Sequence, residues 1–158
     1  MLKPAQLYRE ELNRKLTECW YKPEYQYYFL DCPREFQVPD TTEWRRDFVC
    51  VNDKDEVVGY FAYHHDDAAR SLSQFGLIAF TGSKMERGRF VRECVAHIEN
   101  LVDEGLRRLD FWAIADNPVN KMYRKLVDLW CGHEVGRMHE CHYFGGKYHD
   151  SILYEILF

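Results

Sequence analysis

At 158 residues, with 46% hydrophobic and 16% aromatic content, the chain is long enough for one real core and too apolar for disorder. A net charge of −5 excludes a global electrostatic footprint for nucleic acid, and no apolar run approaches the length of a membrane span. The N-terminus, MLKPAQLYREEL, lacks the apolar core of a signal peptide, and six scattered cysteines do not form the dense framework of a small secreted domain, so the expected setting is a reducing cytoplasm with free thiols.

Residues 4–20 read as a helix, with Pro4 in its first turn and Tyr8, Leu12, Leu16, Cys19 and Trp20 on its apolar face. Pro23 opens a second short segment, EYQYYFLDC, read as helical. Cys32 to Thr42 reads as a loop. Trp44 to Val51 and Glu56 to Tyr63 form an expected antiparallel hairpin about the polar turn Asn52–Asp55. His64, His65, Asp66 and Asp67 then make a polar cap, and Ser71 to Phe80 is the next strand. Gly59 and Gly76 inside strands mark bulges or close backbone approaches.

The stretch from Ser73 to Leu106 is the most informative. It reads as an apolar strand, a polar turn TGSKMERGR, and a helix whose stripe is Phe90, Val91, Cys94, Val95, Ile98, Leu101 and Val102. Gly105 stands where the helix should end. Lys84, Arg87, Arg89 and Arg92 crowd the helix start, against only Glu86 and Glu93. Cations there oppose the helix dipole by about 0.3–1 kcal/mol each, a cost that a bound anion would reverse. The bland alternative is that the arginines point sideways into water.

Arg107 to Ala115 is a strand with bulk on both faces, as an interior strand requires. Asn117 caps a helix that begins with Pro118 and buries Val119, Met122, Tyr123, Leu126 and Val127. Cys131 and Gly132 end it. His133 to Phe144, a turn at Gly145 and Gly146, and Ser151 to Phe158 complete the chain. The order predicts a single α/β (α+β) domain: a mixed, mostly antiparallel sheet flanked by helices. The strand–helix–strand unit from Ser73 to Ala115 should be parallel and right-handed.

With that order, the chain resembles the GCN5-related N-acetyltransferase (GNAT) superfamily over Phe48 to Phe158. GLIAF-TGSKMERGR-FVRECV looks like the family's acyl-coenzyme A pyrophosphate loop. NPVNKMYRKL followed by GHEVG is similar to its asparagine-capped helix bearing a tyrosine, and GGKYHDSILYEI to its closing hairpin. The loop departs from the usual Gln/Arg-x-x-Gly-x-Gly/Ala, because Glu86 to Phe90 supply one glycine at a different spacing. Tyr123 also follows Asn117 one residue sooner than is common.

The resemblance implies a GNAT-like fold over residues 1–158 and acetyl-CoA as co-substrate. An amine of a small molecule or peptide would attack the thioester directly, with no metal and no cysteine nucleophile. Leu77, Ile78, Ala79 and Phe80 would meet the pantetheine arm, and Lys84, Arg87, Gly88 and Arg89 the phosphates. Asn117 is a cap before it is a catalyst, and Asn120 could touch the coenzyme or face water. Tyr123 would be the general acid toward the departing thiolate. The alternative is a core tyrosine on the helix's apolar stripe. A reference phenol near pKa 10 against a thiol near 8.5 makes full proton transfer uphill by about 2 kcal/mol, so a hydrogen bond to the thiolate is the other option. The segment Tyr25 to Phe29 would wall the acceptor groove.

No general base stands out; His64, His65, Asp66 and Asp67 are candidates near a strand end. A rival reading places zinc on Cys131, His133, His139, Cys141 and His142, without a paired CxxC or HxxxH spacing to support it. A nucleic-acid role rests only on the local basic cluster. The other alternative is the same fold without catalysis, serving as a coenzyme- or protein-binding module. The acceptor, and whether two copies pair through the last strands as a homodimer, are left open.

Overall fold

The computed structural model describes residues 1–28, 38, 40 and 42–158. Seven strands form one sheet in the order β1-β2-β3-β4-β5-β7-β6. They are β1 (Leu2–Pro4), β2 (Arg45–Val51), β3 (Val57–Asp66), β4 (Ser71–Ala79), β5 (Arg108–Ile114), β6 (His133–Phe144) and β7 (Lys147–Leu157). Every pairing is antiparallel except β4 with β5. The helices are α1 (Arg9–Trp20), α2 (Lys84–Asp103) and α3 (Asn120–Leu129), with short 3-10 helices at Ala5–Tyr8 and Pro23–Tyr28.

The sheet separates two apolar layers. On one face, α2 and α3 contribute Phe90, Cys94, Ile98, Tyr123 and Val127 to a core with Phe61, Phe75, Phe111, Ile152 and Ile156. On the other, Leu12 and Leu16 of α1 cover Val49, Val57 and Ile78. Among the described residues no helix is long and apolar enough to cross a membrane, and the five described cysteines are free thiols.

The expected mixed sheet, its parallel unit and the closing hairpin are all present. Several boundaries differ, each for a local reason. The first helix begins at Arg9, not Pro4, because Leu2–Pro4 pairs with Phe48–Cys50 as an edge strand. A proline is tolerated there, since an edge strand can do without its N–H. The segment after Pro23 is a 3-10 helix to Tyr28. Its remainder and the loop expected at 32–42 lie outside the described residues, save 38, 40 and 42. His64, His65 and Asp66 extend β3 and pair with Ser73, Leu72 and Ser71, so they are strand residues.

The largest shift is at α2. Ser83 accepts from the Glu86 backbone N–H at 3.3 Å and starts the helix at Lys84. This is half of a Ser-x-x-Glu capping box. Lys84, Arg87, Gly88 and Arg89 therefore lie inside the helix, and the turn shrinks to Phe80–Ser83. Likewise α3 starts at Asn120. Asn117 does not cap it directly; its Oδ1 accepts from the Val119 N–H at 3.1 Å and closes the preceding turn. The last strand starts at Lys147, because Gly145 and Gly146, both with positive φ, make a two-residue turn suited to a tight hairpin.

Gly59 is a close approach: a Cβ there would stand 2.7 Å from the buried Phe90 ring. Gly76 has open space around it instead. Gly59→Ala should therefore cost about 1–3 kcal/mol by overpacking, while Gly136→Ala, with nothing within 4 Å, should change stability by less than about 0.5 kcal/mol. Urea unfolding midpoints of the two variants test this pair.

Candidate functional site

β4 and β5 pair at only two positions, Ser71 with Arg108 and Leu72 with Leu109. Beyond Leu72 they part. β5 continues beside β7 and β4 beside β3. The Phe80 N–H donates to the Val58 carbonyl at 2.9 Å, so by strand alternation Ile78 and Gly76 also turn their backbone groups to β3. Leu77 and Ala79 turn theirs into the splay. Ile78 and Phe80 are thus engaged elsewhere. The Ala79 carbonyl already accepts from the Tyr25 hydroxyl at 2.9 Å.

A cleft of about 320 Å³ runs through the splay. Phe75 and Gly76 of β4 line one side, and Trp112, Ala113 and Ile114 of β5 the other. Tyr27 and Tyr28 of the 3-10 helix, Met138 and His142 of β6 and Ser151 of β7 close it, with Asn117 and Tyr123 at its inner end. Tyr27 is held edge-on to Phe144 and His149, centroids 5.3 and 6.0 Å away, and those two rings stack at 3.7 Å. Buried His149 is fixed by Asp116 at 2.7 Å and the Phe144 carbonyl at 3.2 Å. Burial alone would raise the Asp116 carboxyl, but hydrogen bonds from Lys147 and His149 outweigh it and hold that group below the usual carboxylate range.

Tyr123 is buried, packed edge-on to Phe111 with centroids 5.1 Å apart. Burial pushes its hydroxyl far above the ordinary phenol range; Tyr28 adds to the rise and a backbone hydrogen bond at Leu77 opposes it. At neutral pH it is a phenol that can donate. Asn120 is buried too. Its Nδ2 donates to the Ala115 carbonyl at 2.9 Å and to the Ile114 carbonyl, pinning the turn after β5. Its Oδ1 has no partner, an unmet acceptor beside the splay.

At the start of α2 the basic cluster divides. Arg89 is bound by Asp53 at 2.8 Å and Glu93 at 3.3 Å. Arg89 and Arg92 share a groove with Asn52 and Asp53 of the β2–β3 turn. At 100° per residue, Lys84 and Arg87 fall on the opposite flank of the helix, away from that turn. They make no ion pair among the described residues. The Glu86 carboxylate accepts from Thr81 Oγ1 and from Asn52 Nδ2 at 3.4 Å, leaving an internal anion at this helix end. Gly88 meets only the Arg92 guanidinium, 3.5 Å from a would-be Cβ.

The candidate bases do not reach this cleft. His64, His65 and Asp66 sit where β3 meets the first residues of β4, at the closed end of the splay, and His65 and Asp67 border a separate pocket with Glu104. His142, weighed in the sequence only as a metal ligand, lines the cleft instead. Among the described residues no three His, Cys, Asp or Glu side chains are grouped to hold a metal. Trp112, Met138 and Ser151 are not marked as site residues by the sequence: three strands bring them together, and spacing along one strand carries no such signal.

No family model and no curated protein matches the sequence. Solved structures do. The chain is similar to a point mutant of the spermidine N-acetyltransferase SpeG from Vibrio cholerae, with TM-score 0.67 and 17% identity over 99% of this chain and 94% of that one. It is similar to smu.2055 from Streptococcus mutans UA159, with TM-score 0.63 and 15% identity over 99% and 98%. It also matches the manganese complex of V. cholerae spermidine/spermine N-acetyltransferase SpeG, at TM-score 0.57 and 18% identity over 73% of this chain. That last match spans 66% of the SpeG chain, just under two thirds of its length. The chain has the GNAT fold.

Buried Tyr63 shares the upward shift of Tyr123, its phenol pushed by burial to about 12. Unfolding returns both to the ordinary value near 10. Stability from these two groups is therefore fully present below about pH 10 and is lost as pH rises toward their folded values. The loss should approach about 1.4 kcal/mol per pH unit for each tyrosine. Urea midpoints between pH 8 and 11 test it; in Tyr63→Phe the alkaline decline should be shallower.

Proposed function

We propose that this chain is an acyltransferase that moves the acetyl group of acetyl-CoA to an amine, in a cytoplasmic setting. The observation that carries the reading is the splay itself, with a buried phenol at its inner end and a capped helix at its mouth. The residues fit the co-substrate in three places. Ala79 offers a backbone N–H along the gap, the Leu77 N–H is shared with the Tyr123 oxygen, and the Ala79 carbonyl becomes available if Tyr25 yields it. Asn120, buried behind the turn after β5, carries an Oδ1 with no partner among the described residues. Lys84, Arg87 and the first N–H groups of α2 offer positive charge to phosphates. Arg89 is not part of this set, because Asp53 and Glu93 hold it, and Gly88 has moved into the helix.

In the reaction, the amine lone pair forms a C–N bond to the acetyl carbonyl carbon. The C–S bond breaks with its electron pair going to sulfur, and the proton lost by nitrogen ends on that sulfur. Tyr123 donates a hydrogen bond to the departing thiolate. Its raised pKa makes complete proton transfer costlier than the reference 2 kcal/mol or so, so its role is to stabilise the thiolate. A hydrogen bond to a charged group is worth about 1.5–3 kcal/mol, which is roughly 10- to 150-fold in rate.

A second reading, the same fold without catalysis serving as a protein-interaction module, draws on Glu86. Its carboxylate lies at the helix end where phosphate would go, and only one glycine of the usual loop is present.

Calorimetric titration with acetyl-CoA should give saturable binding. Lys84→Ala with Arg87→Ala should weaken it at least tenfold, and Arg89→Ala less than threefold; the reverse order would remove the phosphate assignment. Tyr123→Phe should lower kcat by about 10- to 150-fold with KM for acetyl-CoA within about twofold. Unchanged kcat would take Tyr123 out of the mechanism.

A further inference from the structure

We infer that the acceptor is a weakly basic aromatic amine, uncharged at neutral pH, seated on the aromatic wall of the cleft with His142 taking its proton. The inference rests on the acetyl-transfer reading. It departs from the polyamines named for the SpeG neighbours, and the reason is charge. Burying an ammonium group is costly unless a carboxylate meets it. Among the described residues lining the cleft there is no carboxylate.

Three carboxylates of the surrounding sheet and turns are committed. Asp116, next to Asn117, is held by Lys147 and His149, each at 2.7 Å. Asp150, next to Ser151, is held by Arg137 at 3.4 Å and His139 at 3.2 Å. Asp47, buried in β2, is spanned by the Arg45 guanidinium at 3.0 Å and also accepts from the Tyr60 hydroxyl.

The walls favour a flat, uncharged ring. Tyr27, Tyr28, Phe75 and Trp112 present aromatic surface, and Met138 a polarizable thioether. Tyr27 is fixed in orientation by Phe144 and His149, so its face is preset for contact. The chemistry agrees. An aliphatic amine with a pKa near that of lysine is protonated about a thousandfold at pH 7 and must be stripped of a proton before it attacks. An arylamine arrives as the free base. It needs a base only once the C–N bond has formed, and His142 is the imidazole lining the cleft. There the nitrogen gains the acetyl carbon, its proton passes to the imidazole, and the thiolate leaves and takes up a proton in turn.

The test compares p-anisidine, benzylamine and spermidine as acceptors at saturating acetyl-CoA, following thiol release. The expected order of kcat/KM is p-anisidine, benzylamine, spermidine, with at least tenfold between first and last. Met138→Glu, a change at a half-exposed side chain, should narrow that ratio at least tenfold. Spermidine preferred, or p-anisidine inert while another amine turns over, overturns the inference. Direct binding separates the two claims. Quenching of Trp112 fluorescence by p-anisidine, lost in Trp112→Phe, should appear even if acetyl-CoA does not bind, and its absence also overturns the inference. Failure to bind acetyl-CoA sinks the acetyl-transfer reading and the acceptor role with it, while the aromatic-amine site is decided by the fluorescence result.

Discussion

Backbone hydrogen bonding between β4 and β5 stops after two residue pairs, and the rest of the site depends on that stop. A strand interior with unpaired N–H and C=O groups is costly unless something else meets them. Here β3 takes alternate residues of β4, and the inner edge is left to Tyr25 and the neighbourhood of Tyr123. The gap is kept open by packing on both sides: Phe75, Phe111 and Tyr123 form an aromatic triangle across it, with centroids 5.1 to 6.4 Å apart. The sheet is thus continuous as an architecture and broken as a hydrogen-bond ladder at one place, and the cleft lies in that place.

How much of this was legible in the sequence follows from which forces are local. The strands and the long helix could be read because burial imposes period 2 or 3.6 on side chains such as Phe90, Cys94 and Ile98. The hairpin at Gly145 and Gly146 could be read because positive φ selects glycine. The start of α2 was misplaced because charge drew more weight than capping. Ser83 and Glu86 outrank the arginines once helix geometry is considered, and that pushed Gly88 out of the turn. Pro4 was misassigned because pairing with β2, a partner more than forty residues away, decides its conformation. His142 could not be recognised as a cleft residue, since its neighbours there come from β4, β5, α3 and the 3-10 helix Pro23–Tyr28.

Charge is distributed in a way that composition conceals. The basic cluster on α2 is two groups back to back. Arg89 and Arg92 serve the β2–β3 turn, and Lys84 and Arg87 face away from it. Near the cleft Asp116 and Asp150 are held in ion pairs and no described lining residue is acidic, so a chain with a net charge of −5 presents a nearly uncharged interior path. Long-range attraction and local selection are therefore separable in this molecule.

The clamp on Tyr27 joins two distant parts of the chain. Its partners Phe144 and His149 are more than a hundred residues further on. On a ribosome, the cleft is consequently among the last features that can be completed. Helix α2 and strands β2 to β5 can dock before the closing hairpin is made, with Tyr25 already on the Ala79 carbonyl, whereas Tyr27 must wait for that hairpin. The nascent chain passes through a stage that is folded at its centre and has no wall to its cleft.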